Sequence, residues 1–297
     1  MGRTDPLRLS RRRFVQGAAL SGAAAGSLGA YAFWVEPRLR LVETHYHIAS
    51  PVWGDRADIK IVALADFHFC EPWMPLGRVE RIVERANAQK PDLIFLLGDY
   101  APGIGRFRTS VLKMSDWAFE LSKLEARLGV HAVLGNHDWW SDGEAYGDAI
   151  RKTGARLYVN DAQRIRENGG FWITGTDSML AEPLSLGGFR DRSNVEAVLD
   201  RVPRDEPALH LMHEPDLFPK VQDPMFLSFA GHTHGGQVRL PLVGRPVVPS
   251  RFGQRYAYGH VEENGRHLVV SGGLGVSIAP VRFRTPPEIT IVRVSGV

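Results

Sequence analysis

Five short stretches of this chain carry residues of the kind that hold divalent cations: Asp66-Phe67-His68, Gly98-Asp99, Gly135-Asn136-His137-Asp138, His213 and Gly231-His232-Thr233-His234. Carboxylates, imidazoles and one amide oxygen suit hard or borderline ions. Asp99 has two oxygens and could bridge two ions, and Asn136 offers a neutral carbonyl ligand. Two ions about 3.5–4 Å apart would share a hydroxide and clamp both the attacking and the leaving oxygen of an in-line displacement. Metal-assisted hydrolysis of a phosphoester is the chemistry such a set supports. His137 has no metal role in this accounting and is the natural candidate to stabilise or protonate the leaving oxygen. One residue separates Asp66 from His68, and an extended backbone there would point both side chains the same way. His232 and His234 repeat the spacing, with Gly231, Gly235 and Gly236 permitting a tight loop.

These residues need elements that bring them together. Asp58 to Leu64 reads as a strand, and so do 93–97 and 129–134, each ending just before one of the first three stretches. Val79, Ile82, Val83 and Ala86 fall at helical spacing over 76–89, and Val111, Met114, Trp117, Ala118 and Leu121 suggest a helix over 110–127. Strand and helix therefore alternate, with polar residues at strand ends, which is the ligand-site rule of open α/β sheets. The second half is richer in strands, at 157–159, 171–174, 208–212, 225–230, 268–271 and 289–294. Two sheets face to face with helices outside is the most economical packing. The division expected is a leader or N-terminal anchor over 1–35, a connector over 36–57 containing a short extended stretch, and one catalytic domain over 58–297.

The leader concentrates the basic charge. Residues 1–32 hold five arginines against Asp5, a net of +4, while the whole chain is +3; the remainder is therefore at −1. Such a body gives no electrostatic footing for nucleic acid. Ser10-Arg11-Arg12-Arg13-Phe14-Val15-Gln16 resembles the twin-arginine export signal, with Ala30-Tyr31-Ala32 as a cleavage site of the A-x-A kind. The weakly apolar stretch from Gly17 to Val35 is close to the minimum for a membrane span, so a retained anchor is the alternative to cleavage. Either outcome puts the body in the periplasm or on the outer face of the cytoplasmic membrane, with the export machinery as a partner. The single cysteine, Cys70, forms no intramolecular disulfide and reads as a packing residue.

With these motifs in view, the chain resembles the calcineurin-like metallophosphoesterase superfamily over roughly residues 58–295. It is most similar to a small exported bacterial branch ending in segments that here read Gly273-Leu274-Gly275, Pro280-Val281-Arg282 and Pro286-Pro287-Glu288. The resemblance implies a four-layer α/β/β/α sandwich and two divalent ions, with manganese, iron and zinc all fitting the ligands. It assigns Asp66, His68 and His234 to the first metal, Asn136, His213 and His232 to the second, and Asp99 to the bridge, with His137 catalytic. His210 lies near His213, but His213 precedes Glu214-Pro215-Asp216, which matches the family's loop. One departure stands out. In Gly98-Asp99-Tyr100-Ala101-Pro102, Pro102 takes the place of the carboxylate that orients the catalytic histidine in the protein-phosphatase branch.

The function implied is a phosphodiesterase or phosphomonoesterase acting, as a monomer, on an extracytoplasmic or lipid-linked phosphoester. A UDP-2,3-diacylglucosamine-type pyrophosphatase is an alternative, ranked lower because its substrate arises on the cytoplasmic face. A non-catalytic metal-bound scaffold is the alternative from another class, opposed by the complete ligand set. The other histidines (45, 47, 131, 210, 260 and 267) read as surface or core residues, and Asp138 as a structural acceptor. Arg190, Arg251 and Arg282 are candidates for gripping an anion, with solvent-facing ion pairs as the equal reading. Trp73, Trp139 and Trp140 line either an apolar wall or the ordinary core.

Overall fold

The computed structural model describes residues 11–297. Two six-stranded sheets form its centre. The first runs Val42–Ala49, Glu288–Ser295, Ile59–Leu64, Leu93–Leu96, Val130–Ala132, Arg156–Leu157. From Ile59–Leu64 outward to Arg156–Leu157 its strands are parallel, as the crossover helices require. The second sheet runs Gly259–Glu263, Arg266–Val270, Met225–Ala230, Ala208–Leu211, Phe171–Gly175, Asp161–Ile165, with four parallel central strands and an antiparallel strand at each edge.

Alternation along the strands decides what each face meets. Ile61, Ala63, Phe95 and Leu97 pack against Ile173, Leu209, Leu227 and Phe229 between the two sheets. Val62, Leu64, Ile94 and Leu96 point the other way, onto Val79, Ile82 and Val83 of helix Leu76–Ala88 and Trp117 of helix Met114–Leu121. On the far side of the second sheet, Met225, Leu268 and Val270 pack on Val195, Val198 and Phe218. Three apolar seams thus separate four layers, the α/β/β/α order expected.

Several boundaries differ from the sequence reading. Ser110–Val111 is not helical: it pairs antiparallel with Cys70–Glu71, and extended Lys113 starts the helix only at Met114. The helix ends at Leu121 and not at 127. Helix Asn136–Lys152 has no clear apolar period, because Gly143 and Gly147 and a non-helical Asp142 interrupt it. The stretch within the 36–57 connector is an edge strand of the first sheet, paired parallel with the C-terminal strand over eight residue pairs from Val42↔Glu288 to Ala49↔Ser295. Its outward residues are polar, so its period is weak.

The chain before that strand is bonded to the body. The Ala32 carbonyl accepts from Arg282 N–H at 2.9 Å, and the buried Glu36 carboxylate accepts from the amides of Arg284 and Thr285 at 3.1 and 2.7 Å. Helix Arg11–Ala30 precedes this anchor point. Among the described residues no helix is long and apolar enough to cross a membrane. The export-like motif starts at Ser10, outside the described residues.

Candidate metal centre

The C-terminal ends of parallel strands in both sheets converge on one point. Ile59–Leu64 leads to Asp66 and His68, Leu93–Leu96 to Asp99, and Val130–Ala132 to Asn136 and His137. From the second sheet, Ala208–Leu211 leads to His213, and Met225–Ala230 to His232 and His234. Donor atoms of Asp66, His68, Asp99 and His234 lie within 4.8 Å of one another, and so do those of Asp99, His213 and His232. Asn136 Oδ1 completes the second group, 3.2 Å from His213 Nε2 and 2.9 Å from His232 Nδ1. Asp99 belongs to both groups: its Oδ2 is 3.5 Å from His68 Nε2 and 3.3 Å from His213 Nε2.

The convergence does not come from an extended backbone. Asp66, His68, Asp99, His232 and His234 all have left-handed φ, between 49° and 69°. Each such non-glycine residue costs on the order of 1–3 kcal/mol and persists only where its surroundings over-determine it. The loops are locked from behind. Gly98, at φ +88°, lies so close to the next loop that a Cβ there would meet Gly135 N at 2.5 Å, and a Cβ at Gly135 would meet Asp99 Oδ1 at 2.2 Å. Asp138, at the first turn of helix Asn136–Lys152, accepts from the amides of Gly135, Asp99, Tyr100 and Ala101 at 2.8–3.0 Å. It ties two loops together as a structural acceptor.

Ring orientation is fixed in the same way. His68 Nδ1 and His213 Nδ1 each lie 2.6 Å from a carbonyl, of Ala101 and Leu97 respectively. As N–H donors there, they leave Nε2 with a lone pair aimed at the cluster. Burial pushes His68 down to about 4 and His232 to about 3, and it holds His234 well below the usual imidazole range. Burial opposes ionisation of Asp99, but the charges of His213 and His137 outweigh it and hold the carboxyl well below the ordinary range. His213 moves the opposite way: burial disfavours its charge, yet Asp99 raises it well above the usual value. Because an imidazole ligand must give up its proton to hold a cation, binding at this group would depend on pH. Asp66, pushed up to about 7 by burial, keeps Oδ2 buried with no hydrogen-bond partner. An orphaned carboxylate oxygen beside imidazole nitrogens is a donor set that fits a metal ion.

His137 borders this cluster without joining either group. Its backbone N–H donates to Asp99 Oδ1 at 2.9 Å. Its ring meets His68 edge-on at 4.9 Å and packs 4.6 Å from the ring of Trp140, while Nε2 lies 3.4 Å from Ser277 Oγ. Aromatic packing and a hydroxyl thus stand where Pro102 leaves no carboxylate. Ser277 carried no signal in the sequence. Asp138 three residues after Gly135 was a readable helix-start signal for the missed helix.

A cavity of about 400 Å³ opens from the cluster. Asp99, Asn136, His137, His232 and His234 form its floor, and Trp140, Val238, Pro246, Val247, Pro249 and Ile278 much of its wall. Among the described residues no lysine or arginine lines it. Trp140 is thus a wall residue, whereas Trp73 and Trp139 donate to Phe107 O and Asp177 Oδ1 as packing residues. The three arginines do not reach the cavity. Arg190 and Arg251 pair at the surface with Glu182 and Asp216. Arg282, fully buried, donates to the carbonyls of Gly272, Gly273, Gly275 and Thr285 and organises the C-terminal loop. Cys70 is buried near Trp73. The histidines at 45, 47, 131, 210, 260 and 267 stand outside the cluster; His131, for instance, bonds Tyr158 Oη, and His210 bonds Thr174 Oγ1.

The chain is 32% identical over 297 residues to the metallophosphoesterase YkuE of Bacillus subtilis (strain 168), covering 96% of this chain and 97% of that protein. It is 32% identical over 289 residues to phosphodiesterase YaeI of Escherichia coli (strain K12), covering 96% and 98%. A metallophosphoesterase of Aquifex aeolicus (strain VF5) is 29% identical over 269 residues, covering 91% and 97%. The family description "Calcineurin-like phosphoesterase" matches residues 59–261, the span that carries all eight candidate residues. The paired donor groups and the match along that span agree: this chain belongs to the calcineurin-like phosphoesterase family and is a metal-dependent phosphoester hydrolase.

Proposed function

We propose that the protein is a phosphodiesterase whose substrate joins a phosphoester to a large apolar group, as a lipid-linked phosphodiester does. The cavity carries this reading: an apolar wall free of lysine and arginine opens directly onto the donor cluster. The name of the Escherichia coli relative, a phosphodiesterase, supports the reaction. Asp66, His68 and His234 would hold one divalent ion, Asn136, His213 and His232 the other, and Asp99 both. Such ions supply charge to the phosphoryl oxygens and ease deprotonation of the attacking water. His137, at the boundary between floor and wall, holds the proton that goes to the leaving alcohol. Trp140 fixes that ring and excludes water from one side. A diphosphate substrate would bring a second charged phosphate against a wall with no cation, so the pyrophosphatase reading ranks below. The test is hydrolysis of bis-p-nitrophenyl phosphate and of a long-chain lipid phosphodiester by protein loaded with manganese, iron or zinc. Turnover that depends on metal and prefers the lipid over its short-chain analogue supports the reading. A folded, metal-loaded protein inert to every phosphoester would point to the scaffold alternative.

The same protein is proposed to act on the outer side of the cytoplasmic membrane, with its leader retained. The arginine pair supports export, and the bonds of Ala32 and Glu36 to the C-terminal loop support retention, because cleavage after Ala32 would cut inside packed structure. Changing Arg11 and Arg12 together to lysine should leave the protein in the cytoplasm. Export of that variant at the wild-type level would refute the localisation, and a shortened exported chain would refute retention.

A further inference from the structure

A second depression lies at the foot of helix Arg11–Ala30, lined by Arg38, Arg40, Arg78, Arg81 and Arg85 together with Leu39 and Leu41. Its volume is about 150 Å³, below the roughly 300–1,000 Å³ of sites for drug-sized ligands. Two carboxylates stand near it, Glu36 and Glu43: Glu36, whose charge acts on Tyr31 beside Arg40, is held by the amides of Arg284 and Thr285. Glu43 pairs with Arg85 at 2.7 Å. Glu80 and Glu84, on the same helix as three of the arginines, line a different depression with Asn87 and Glu120. Among the described residues, the other four guanidinium groups have no carboxylate within ion-pair distance.

Their bonds show how the pocket is built. Arg78 is only 3% exposed. Its Nη atoms donate to the carbonyls of Pro37, Arg38, Arg40 and Leu274, yet its Nε–H is buried with no partner. Arg38 lies 3.7 Å over the Trp34 ring and donates through Nε to Pro72 O. Arg40 donates to Tyr31 Oη at 3.2 Å. The Arg81 side chain is exposed and has no hydrogen bond or ion pair among the described residues. Burial and the neighbouring charges of Arg282, Arg81 and Arg38 push Arg78 down to about 9, so the cluster is under electrostatic strain that an anion would relieve.

We propose that this pocket is a phosphate-binding site, separate from the metal centre, that holds one phosphate group on the guanidinium forks of Arg38, Arg40 and Arg81 with the Arg78 Nε–H at its base. Guanidinium forks match phosphate oxygens in geometry as well as charge. The phosphate could come from a phospholipid headgroup or from solution. Exposed Phe33, Trp34 and Leu39 beside the arginines give the rim an aromatic and apolar character suited to a membrane interface.

The test uses the metal-loaded full chain and the double variant Arg40→Gln/Arg81→Gln, with two probes. Binding to vesicles of phosphatidylglycerol in phosphatidylcholine is measured against phosphatidylcholine alone. Inorganic phosphate is titrated calorimetrically, and wild type is expected to bind at two sites, the metal centre being one. If the headgroup is the ligand, affinity for anionic vesicles falls roughly 30-fold in the variant, from two lost arginine–lipid attractions. If free phosphate is the ligand, the variant keeps one phosphate site and vesicle binding stays level. Unchanged vesicle affinity together with unchanged phosphate stoichiometry overturns the proposal. Hydrolysis of bis-p-nitrophenyl phosphate should be the same in both proteins. Should the double variant melt abnormally, Arg81→Gln alone carries the same readouts, because that side chain holds nothing else in place.

Discussion

The floor and the wall of the main cavity are built in opposite ways. The floor and the donor cluster beneath it are positioned from behind: the His68 and His213 rings bond to carbonyls, Asp138 gathers four amides, and five of the donor residues hold left-handed backbone conformations. The wall is loosely made. Val247 is 62% and Ile278 72% exposed, and the neighbouring turn from Leu240 to Gly244 is closed by two backbone bonds, with Leu242 fully exposed at its tip. Reaction chemistry demands fixed geometry and tolerates its cost, whereas recognition of an apolar group asks only for a surface of the right character. The comparison therefore separates residues that should control rate from residues that should control which ester is chosen.

Asp99→Asn should have the largest effect. The substitution keeps shape but removes the one charge shared by both donor groups, so both cations are held less strongly. Elemental analysis should find less than full occupancy at both positions, and activity should fall further than in any wall variant. Full occupancy in this variant would remove Asp99 from the bridging role.

His137→Ala should come next and should fail differently. The ring touches Trp140 and Ser277 and is outside both donor groups, so metal content should stay near wild type. Turnover should slow by roughly 10²–10⁴-fold, the usual scale for general acid–base catalysis. The loss should be smaller for a p-nitrophenyl ester, whose leaving group scarcely needs a proton, than for an alkyl ester. Equal losses on both would assign His137 to charge stabilisation. Metal loss as deep as in Asp99→Asn would overturn the division of roles on the floor.

The same contrast explains what could be read from the sequence. Floor residues were legible because few side chains bind divalent ions and because each one follows a β-branched or apolar strand. Their conformation was not: one-residue spacing suggested an extended backbone, while Asp66 and His68 are left-handed, a tertiary outcome of loops packing onto them through Gly103, Gly273 and Gly275. Central strands such as Met225–Ala230 were legible from continuous apolar runs, and the edge strand Val42–Ala49 as a short extended stretch, but the edge strands Asp161–Ile165 and Gly259–Glu263, polar on one side, were not. Apart from Trp140, the wall residues carried no signal. Val238, Val247 and Pro249 look in sequence like any hydrophobic residues of a core, and only the fold turns them toward a cavity.

The smallest effect, and the most direct probe of the wall, is expected from Val247→Ser and Ile278→Ser. Neither side chain contributes to the floor, and both are largely exposed, so stability should change little. Ile278 also sits at φ 64°, where a β-branched residue is strained, so serine there relieves part of that strain. On bis-p-nitrophenyl phosphate, which carries no long apolar chain, kcat should stay within about twofold, because nothing in the floor has moved. On a long-chain lipid phosphodiester KM should rise, by up to roughly tenfold for each side chain, the equivalent of losing about 1.4 kcal/mol of apolar contact. The two variants together should raise KM further with kcat still intact, since contacts made equally in ground and transition state act on KM alone. A fall in kcat on both substrates would mean that the wall helps position the reacting phosphorus, and the separation of rate from choice would not hold. Unchanged KM on the lipid would place the apolar group of the substrate elsewhere on the molecule.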